Sequence, residues 1–123
     1  MAVSDLDDVV VLDRSTKGVS LFNRDGKILK QIAEKGTGYQ LRDPKDVAFD
    51  ALGHVYVLDK TSVLVFTPDA AKLLATFTVP EKAAGAIGEG NAVAIDSAGR
   101  LYISEVGGAS RIQRFVPAGK PAR

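Results

Sequence analysis

The amino-acid sequence predicts an all-β fold built from repeated units of four antiparallel strands. The first observation is an internal repeat, because residues 47–59 (VAFDALGHVYVLD) return without a gap, 46 positions later, at residues 93–105 (VAIDSAGRLYISE). The second is an upstream copy, since VVVLD at residues 9–13 aligns at the same spacing with VYVLD at residues 55–59. The third is that short apolar runs alternate with turn segments in each copy. A fixed period of this size is typical of a supersecondary unit that buries its faces by stacking on its neighbours.

The middle repeat contains the complete set of predicted elements. Its four predicted strands cover residues 47–49, 55–58, 63–66 and 72–77. Polar and glycine- or proline-containing segments separate them at residues 50–53, 59–62 and 67–71. Such segments are turn formers, so the four strands are expected to pair consecutively as antiparallel neighbours.

The flanking repeats supply the same parts with gaps. The first has predicted strands at residues 9–12, 19–22 and 27–32, and its Asp25-Gly26 pair is a strong hairpin signal. The last has strands at residues 93–95, 101–103 and 111–115, a turn at 117–119, and no apolar run for a fourth strand in residues 120–123. Residues 80–90 contain three glycines and are predicted to be the loop between two units.

Four strands in a repeat of about 40 to 50 residues are typical of a β-propeller blade. The first and second strands are apolar at consecutive positions, as expected when neighbouring sheets cover both faces. The third and fourth strands include Ser20, Gln31, Thr76 and Gln113, so the outer strands are expected to be more exposed. We therefore predict a single partial propeller domain with blades at about 1–33, 46–78 and 92–123.

The repeats resemble NHL repeats, which form the blades of propellers that usually have six of them. The resemblance covers nearly the whole chain and rests on an Asp before a small-residue-Gly turn, an aromatic residue in the second strand, an acid closing that strand and a Phe ending the third. These positions are Tyr56 and Tyr102; Asp13, Asp59 and Glu105; and Phe22, Phe66 and Phe115. The Asn and Arg that the family often carries before the third strand are absent from the short segment at residues 60–62.

Three blades do not close a ring, because natural propellers have about four to eight. The open ends would expose apolar blade faces, which mark interfaces or aggregation sites. The chain is therefore either a fragment of a longer propeller or a unit that assembles with copies of itself. Two copies would give a six-bladed ring with two-fold symmetry, and we expect such a homodimer.

Charge and composition argue against several partners. Sixteen basic and fifteen acidic residues give a net charge of +1, so no global field attracts nucleic acid or an anionic membrane. The apolar runs have the length of strands, and the N-terminal residues do not form an export signal. The chain has no cysteine, which is compatible with a reducing or an oxidising compartment.

No set of residues predicts a catalytic site, a metal site or a cofactor. His54 is the only histidine and is expected to be an exposed turn residue. Asp50 and Asp96 precede turns, where an aspartate usually accepts hydrogen bonds from its own backbone two residues on. The acids that close the second strands recur in every unit and are expected to hold loops. The glycines of residues 85–90 are expected to form a linker, because they do not open a helix as a phosphate-binding loop must.

Binding is instead expected at the mouth of the central channel, where propeller loops meet. The candidate binding residues there are Arg42, Lys45, Asp46, Lys60 and Asn91. Some NHL propellers bind RNA through a positive face, but here acids nearly cancel the basic residues and Tyr39 is the only aromatic nearby for base stacking. A solvated rim of mixed charge is the alternative to a binding site.

Two functional classes follow. The first is a non-enzymatic binding or scaffolding propeller that recognises a protein, a peptide or a small ligand. The second is part of a metal-dependent hydrolase or lyase, because the six-bladed relatives include lactonases and amidating lyases with a divalent metal in the channel. The positions that begin the inner strands are Lys45-Asp46 and Asn91-Ala92, which offer few oxygen ligands, so the sequence favours the first class.

Overall fold

The computed structural model describes residues 2–4, 7–13, 18–32, 41, 43–59, 62–70, 72–78, 89–106 and 112–115. These residues form three antiparallel sheets and contain no helix. The first sheet consists of β1 (Ala2–Val3), β2 (Val9–Asp13), β3 (Gly18–Phe22) and β4 (Ile28–Ile32). The middle sheet consists of β5 (Pro44–Phe49), β6 (Val55–Asp59), β7 (Ser62–Phe66) and β8 (Leu73–Thr78). The third sheet consists of β9 (Glu89–Ile95), β10 (Leu101–Val106) and β11 (Ile112–Phe115).

Each sheet is an open meander in which every strand pairs with the next one along the chain. The all-β class and its antiparallel units are thus confirmed.

Five tight turns of one kind connect these strands. In each, the amide of the fourth residue donates to the carbonyl of the first; the first residues are Ser4, Asn23, Asp50, Thr67 and Asp96. The fourth residue has a positive φ in every case: 66° at Asp7, 83° at Gly26, 87° at Gly53, 61° at Ala70 and 83° at Gly99. This left-handed conformation costs a glycine little, because it has no Cβ. A turn followed by one left-handed residue, most often glycine, is a common hairpin connection, and three of the five turns have glycine there.

The three sheets stack face to face, with the middle sheet between the other two. One face of the middle sheet places Val47, Val55 and Val57 against Val10 and Leu21 of the first sheet. The opposite face contributes the core of the second contact, which contains Ala48, Leu58, Val63, Val93, Leu101 and Ile103. Burial of these aliphatic side chains holds the stack together.

The exposure of the strands agrees with the prediction only in part. The described side chains of β4 are exposed and those of β8 alternate between exposed and half-buried, as expected for outermost strands. The third strands, however, are buried in two sheets, since Val19, Leu21 and Val63 have no exposed surface. They are buried because the sheet-to-sheet contacts extend beyond the first two strands of each unit.

Two strands begin earlier than the sequence predicts. β5 begins at Pro44 and β9 at Glu89, so the prediction that the inter-unit loop extends through Gly90 is wrong. In both cases a β-bulge lets the ladder continue past an irregular position. The remainder of that loop and residues 116–123 lie outside the described residues. Within the described ranges there is no helix with the length and apolar character needed to cross a bilayer.

Candidate functional site

The two bulges place two predicted binding residues at equivalent positions of successive sheets. In β5, Pro44 pairs with Asp59 and Asp46 pairs with Leu58, so Lys45 is the extra residue. In β9, Gly90 pairs with Glu105 and Ala92 with Ser104, so Asn91 is the extra residue. Bulges often re-aim a side chain, and they are frequent beside functional sites.

Lys45 and Asn91 are 46 positions apart, which is the repeat spacing. The sequence therefore contained a signal that the two positions are equivalent. The end of the stack where β5 and β9 begin, and β6 and β10 end, is called the loop face below.

Lys45 forms an ion pair on the loop face. Its Nζ lies 3.0 Å from Oδ2 of Asp43, and the Lys45 side chain is 28% exposed. The Asp43 amide in turn donates to Oδ1 of Asp59 at 2.7 Å. Asp59 is buried, so its carboxylate fixes the segment that leads into β5. This confirms that the acid closing β6 holds a loop.

Asp46, another of the predicted binding residues, makes a contact between two sheets. Its Oδ2 accepts a hydrogen bond from the amide of Val93 at 2.9 Å. β9 is an edge strand of its sheet, and an edge strand leaves some backbone groups without a strand partner. Asp46 therefore ties the middle sheet to the third sheet.

The structure brings three of the five predicted binding residues to one surface. Lys45 and Asp46 are consecutive in β5. Asp46 accepts a hydrogen bond from Val93, which follows the exposed Asn91 by two positions in β9. The other two, Arg42 and Lys60, lie outside the described residues. Beneath this surface the buried Glu105 accepts a hydrogen bond through Oε2 from Nε2 of Gln113 at 2.7 Å, which ties β10 to β11.

The opposite end of the stack, called the turn face, holds the aspartates that precede turns. Oδ1 of Asp50 accepts hydrogen bonds from the amides of Leu52 and His54, each at 2.9 Å. Oδ1 of Asp96 accepts equivalent bonds from Ala98 and Arg100, again at 2.9 Å. The predicted backbone role of the two aspartates is confirmed.

His54 is half-buried rather than exposed, contrary to the prediction. Its Nδ1 lies 2.9 Å from Oδ2 of Asp50, which also accepts the hydroxyl of Tyr56 at 3.2 Å. Burial, followed by the nearby Asp50 carboxylate, raises the pKa of Tyr56 to about 12. The His54 ring lies against Asp50 because Oδ1 accepts the amides of the turn, which leaves Oδ2 available to the imidazole.

The third sheet repeats this cluster with a different base. Nε of Arg100 donates to Oδ2 of Asp96 at 2.6 Å, and the hydroxyl of Tyr102 donates to the same oxygen at 3.0 Å. Desolvation acts to raise the pKa of Asp96, but the hydrogen bonds from Arg100, Tyr102 and Ala98 outweigh it and lower the pKa to about 2. A guanidinium takes the place of the imidazole, so the shared role of the two clusters is structural.

A shallow groove of about 210 Å³ lies on the turn face. It is lined by equivalent positions of the three units, namely Val3, Ser4, Phe49, Asp50, Ala51, Ile95, Asp96 and Ser97. Ser4 stands where the other units have aspartate, and its hydroxyl likewise accepts the amide of a residue four positions on, Asp8, at 3.1 Å. The side-chain oxygens of Ser4, Asp50 and Asp96 in the groove therefore already accept hydrogen bonds from backbone amides.

Within the described ranges, no three histidine or acidic side chains are close enough to hold a metal ion. No protein family matches the chain, and no curated protein matches it either. Among solved structures, a protein of unknown function from Bacteroides caccae aligns with 93% of this chain, at 12% identity and a TM-score of 0.37. The alignment spans 58% of that longer protein.

Proposed function

We propose that the chain is a non-enzymatic binding or scaffolding module of the β-propeller type, which recognises a protein or peptide segment through its loop face. The observation that carries the proposal is the pair of equivalent bulges that present Lys45 and Asn91 on neighbouring sheets. A bulge interrupts pairing and costs regular ladder contacts. Bulges also recur between the third and fourth strands of two units, where the extra residues are Leu29 and Leu74. The polar side chains of Lys45 and Asn91 therefore distinguish the loop-face pair and support a common role in binding.

The propeller assignment is supported by the way in which the sheets stack. Each antiparallel unit uses repeat-equivalent positions for its contacts, and the middle unit is covered on both faces. Blades of a propeller are short antiparallel sheets that pack in this manner around a channel. The resemblance to NHL repeats agrees with this assignment.

The hydrogen bonding of the acids favours binding over metal-dependent catalysis. On the loop face, Asp46, Asp59 and Glu105 each accept a hydrogen bond that fixes backbone or a neighbouring strand. On the turn face, both aspartates have two or more donors. A divalent cation would have to compete for these oxygens and would dismantle the contacts they make.

The chemistry of the surface suggests an extended acidic peptide as the ligand. An asparagine side chain offers a donor and an acceptor, so Asn91 matches the hydrogen-bonding pattern of a peptide group. Lys45 supplies a cation that an acidic side chain of the ligand can share with Asp43. Two such anchors on adjacent sheets fit a linear segment that crosses the loop face.

The test is selection of binders from a display library of acidic decapeptides with the full chain immobilised. We expect selected peptides to lose at least tenfold in affinity against Lys45→Ala or Asn91→Ala. The matched control is Lys27→Ala, which removes an exposed lysine from the turn after β3, at the opposite end of the stack. Equal binding to all three variants would place recognition elsewhere and reject the proposal.

A further inference from the structure

The first and third sheets each have one face against the middle sheet and one outer face. The outer face of the first sheet carries Val3, which is 60% exposed, together with Val9 and Phe22, which share that face through direct cross-strand pairing. The outer face of the third sheet carries Ile112, which is 74% exposed, and Tyr102. Exposed apolar side chains grouped on a sheet face mark an interaction surface.

The repeat shows what each outer face is built to contact. Val9 and Val11 of the first sheet correspond to Val55 and Val57, which are fully buried against the neighbouring sheet. Val3 corresponds to Phe49 of the middle sheet and Ile95 of the third, and both pack against a neighbouring core. The outer face of the first sheet is therefore equivalent to the faces with which the middle and third sheets each pack against the preceding sheet.

The outer face of the third sheet is the other half of the same contact. Ala94 and Tyr102 correspond to Ala48 and Tyr56, which pack against the third sheet within the chain. Ile112 takes the position of Val63, which is completely buried there. The outer faces of the first and third sheets are thus equivalent to the two surfaces that meet in each internal contact, so they should fit each other in the same way.

We infer that a second copy of this chain covers both outer faces, with the third sheet of each copy packed on the first sheet of the other. A two-fold axis satisfies both contacts at once and closes the assembly. From strand spacings of about 4.8 Å and rises of about 3.3 Å per residue, each face presents about 300 Å². The four faces present about 1,200 Å², which reaches the size of a specific interface. This inference rests on the stacking of the sheets and not on the ligand of the loop face.

The new contact is more polar than the internal ones. Ser104 and Arg114 of the third sheet stand where the middle sheet has Leu58 and Val65. Arg114 is exposed and can extend its charged end to the rim of the contact while its stem covers apolar surface. We therefore expect an assembly that dissociates on dilution, which makes its equilibrium measurable.

The first experiment measures mass in solution by sedimentation velocity over a range of concentrations. The parent chain, at 13.0 kDa, is expected to reach twice that mass. Ile112→Lys and Val3→Lys each introduce a charge on one outer face and should raise the dissociation constant at least 100-fold, with an unchanged β-sheet circular dichroism spectrum. Leu52→Lys is the control, because Leu52 is 72% exposed in the β5–β6 turn and lies on neither outer face.

The second experiment mixes the two charged variants. Ile112→Lys retains an intact first-sheet face and Val3→Lys retains an intact third-sheet face, so the mixture regains one contact and should contain a dimer that neither variant forms alone. A parent chain that is monomeric at all concentrations overturns the inference, as does a variant that still dimerises. A mixture that stays monomeric contradicts the pairing of the first sheet with the third and overturns the inference as well.

Discussion

The carboxylate of Asp46 accepts a hydrogen bond from the backbone amide of Val93, and this bond links the first strand of the middle sheet to the first strand of the third. The two residues are 47 positions apart, so one charged side chain fastens consecutive units at the loop face. Elsewhere the contact between these sheets is made largely by aliphatic side chains. Asp46 therefore fixes the position of the middle sheet relative to the third, which the aliphatic contact alone does not specify.

Asp46→Ala is expected to lower the free energy of unfolding by about 1.5 to 3 kcal/mol, the usual range for a hydrogen bond to a charged group. Urea denaturation followed by circular dichroism measures the change. Asp46→Asn is the matched control, because its side-chain oxygen can still accept the Val93 amide, and it should lose less than half as much. An alanine variant as stable as the parent would show that the bond does not hold the sheets together.

Asp7→Gly is expected to raise the free energy of unfolding by about 0.5 to 1 kcal/mol. Position 7 has a left-handed backbone conformation, which is strained for a residue with a Cβ and is not strained for glycine. Asp7 has a φ of 66°, whereas the equivalent residues of the other units are Gly53 and Gly99. Its side chain contributes little, since its contact with Arg24 is long, at 3.9 Å, and exposed.

The reverse substitution is the control for that effect. Gly26 has a φ of 83°, and a Cβ added there would meet no atom within 4 Å. Gly26→Ala should therefore cost about 1 to 2 kcal/mol from backbone strain alone. Thermal denaturation of the two variants must shift the midpoint in opposite directions; a destabilising Asp7→Gly would show that the aspartate is held by more than its backbone.

The stability contributed by Tyr56 should disappear in alkali. Its pKa is about 12 in the fold against 10.0 in the unfolded chain, so the fold stabilises the neutral phenol. The contribution is complete below pH 10 and is lost as the pH rises towards 12. Absorbance titration at the tyrosinate band should show a late phase that Tyr56→Phe removes; a late phase that survives in the variant would assign it elsewhere.

The stability contributed by Asp96 should disappear in acid. Its pKa is lowered to about 2 from 3.8, so the fold stabilises the ionised carboxylate. The contribution is complete above pH 4 and declines as the pH falls through 2. The difference in urea midpoint between the parent chain and Asp96→Asn should therefore shrink steadily between pH 5 and pH 2, and a constant difference would contradict the role of its charge.

Much of the architecture can be read from the sequence because it depends on local chemistry. Short runs of β-branched and aromatic residues predict the strands, and an Asp followed by Gly three residues later predicts the turns on which Asp50 and Asp96 act. The turn at Ala70 is less visible, because an alanine with φ 61° replaces the usual glycine. The repeat spacing links these local signals into units.

The candidate site is harder to predict because it depends on contacts between units. Lys45 and Asn91 are recognisable as polar residues near strand starts, but their bulges exist only once β6 and β10 fix the register. The role of Asp46 requires Val93 to be brought next to it by the stacking of two sheets. His54 is drawn inward by a carboxylate oxygen that the turn leaves free, which no sequence pattern in the turn itself reveals.

The position of the middle sheet has a consequence for how the molecule opens. β6 and β7 can lose protection only when a neighbouring sheet separates, whereas β4, whose described side chains are exposed, can fray first. In stacked repeats the free energy of local opening is set by a unit and its nearest neighbours. Amide hydrogen exchange should therefore be slowest at Val57 and Leu58 and become faster towards both outer sheets. The middle sheet is then the last part of the chain to open.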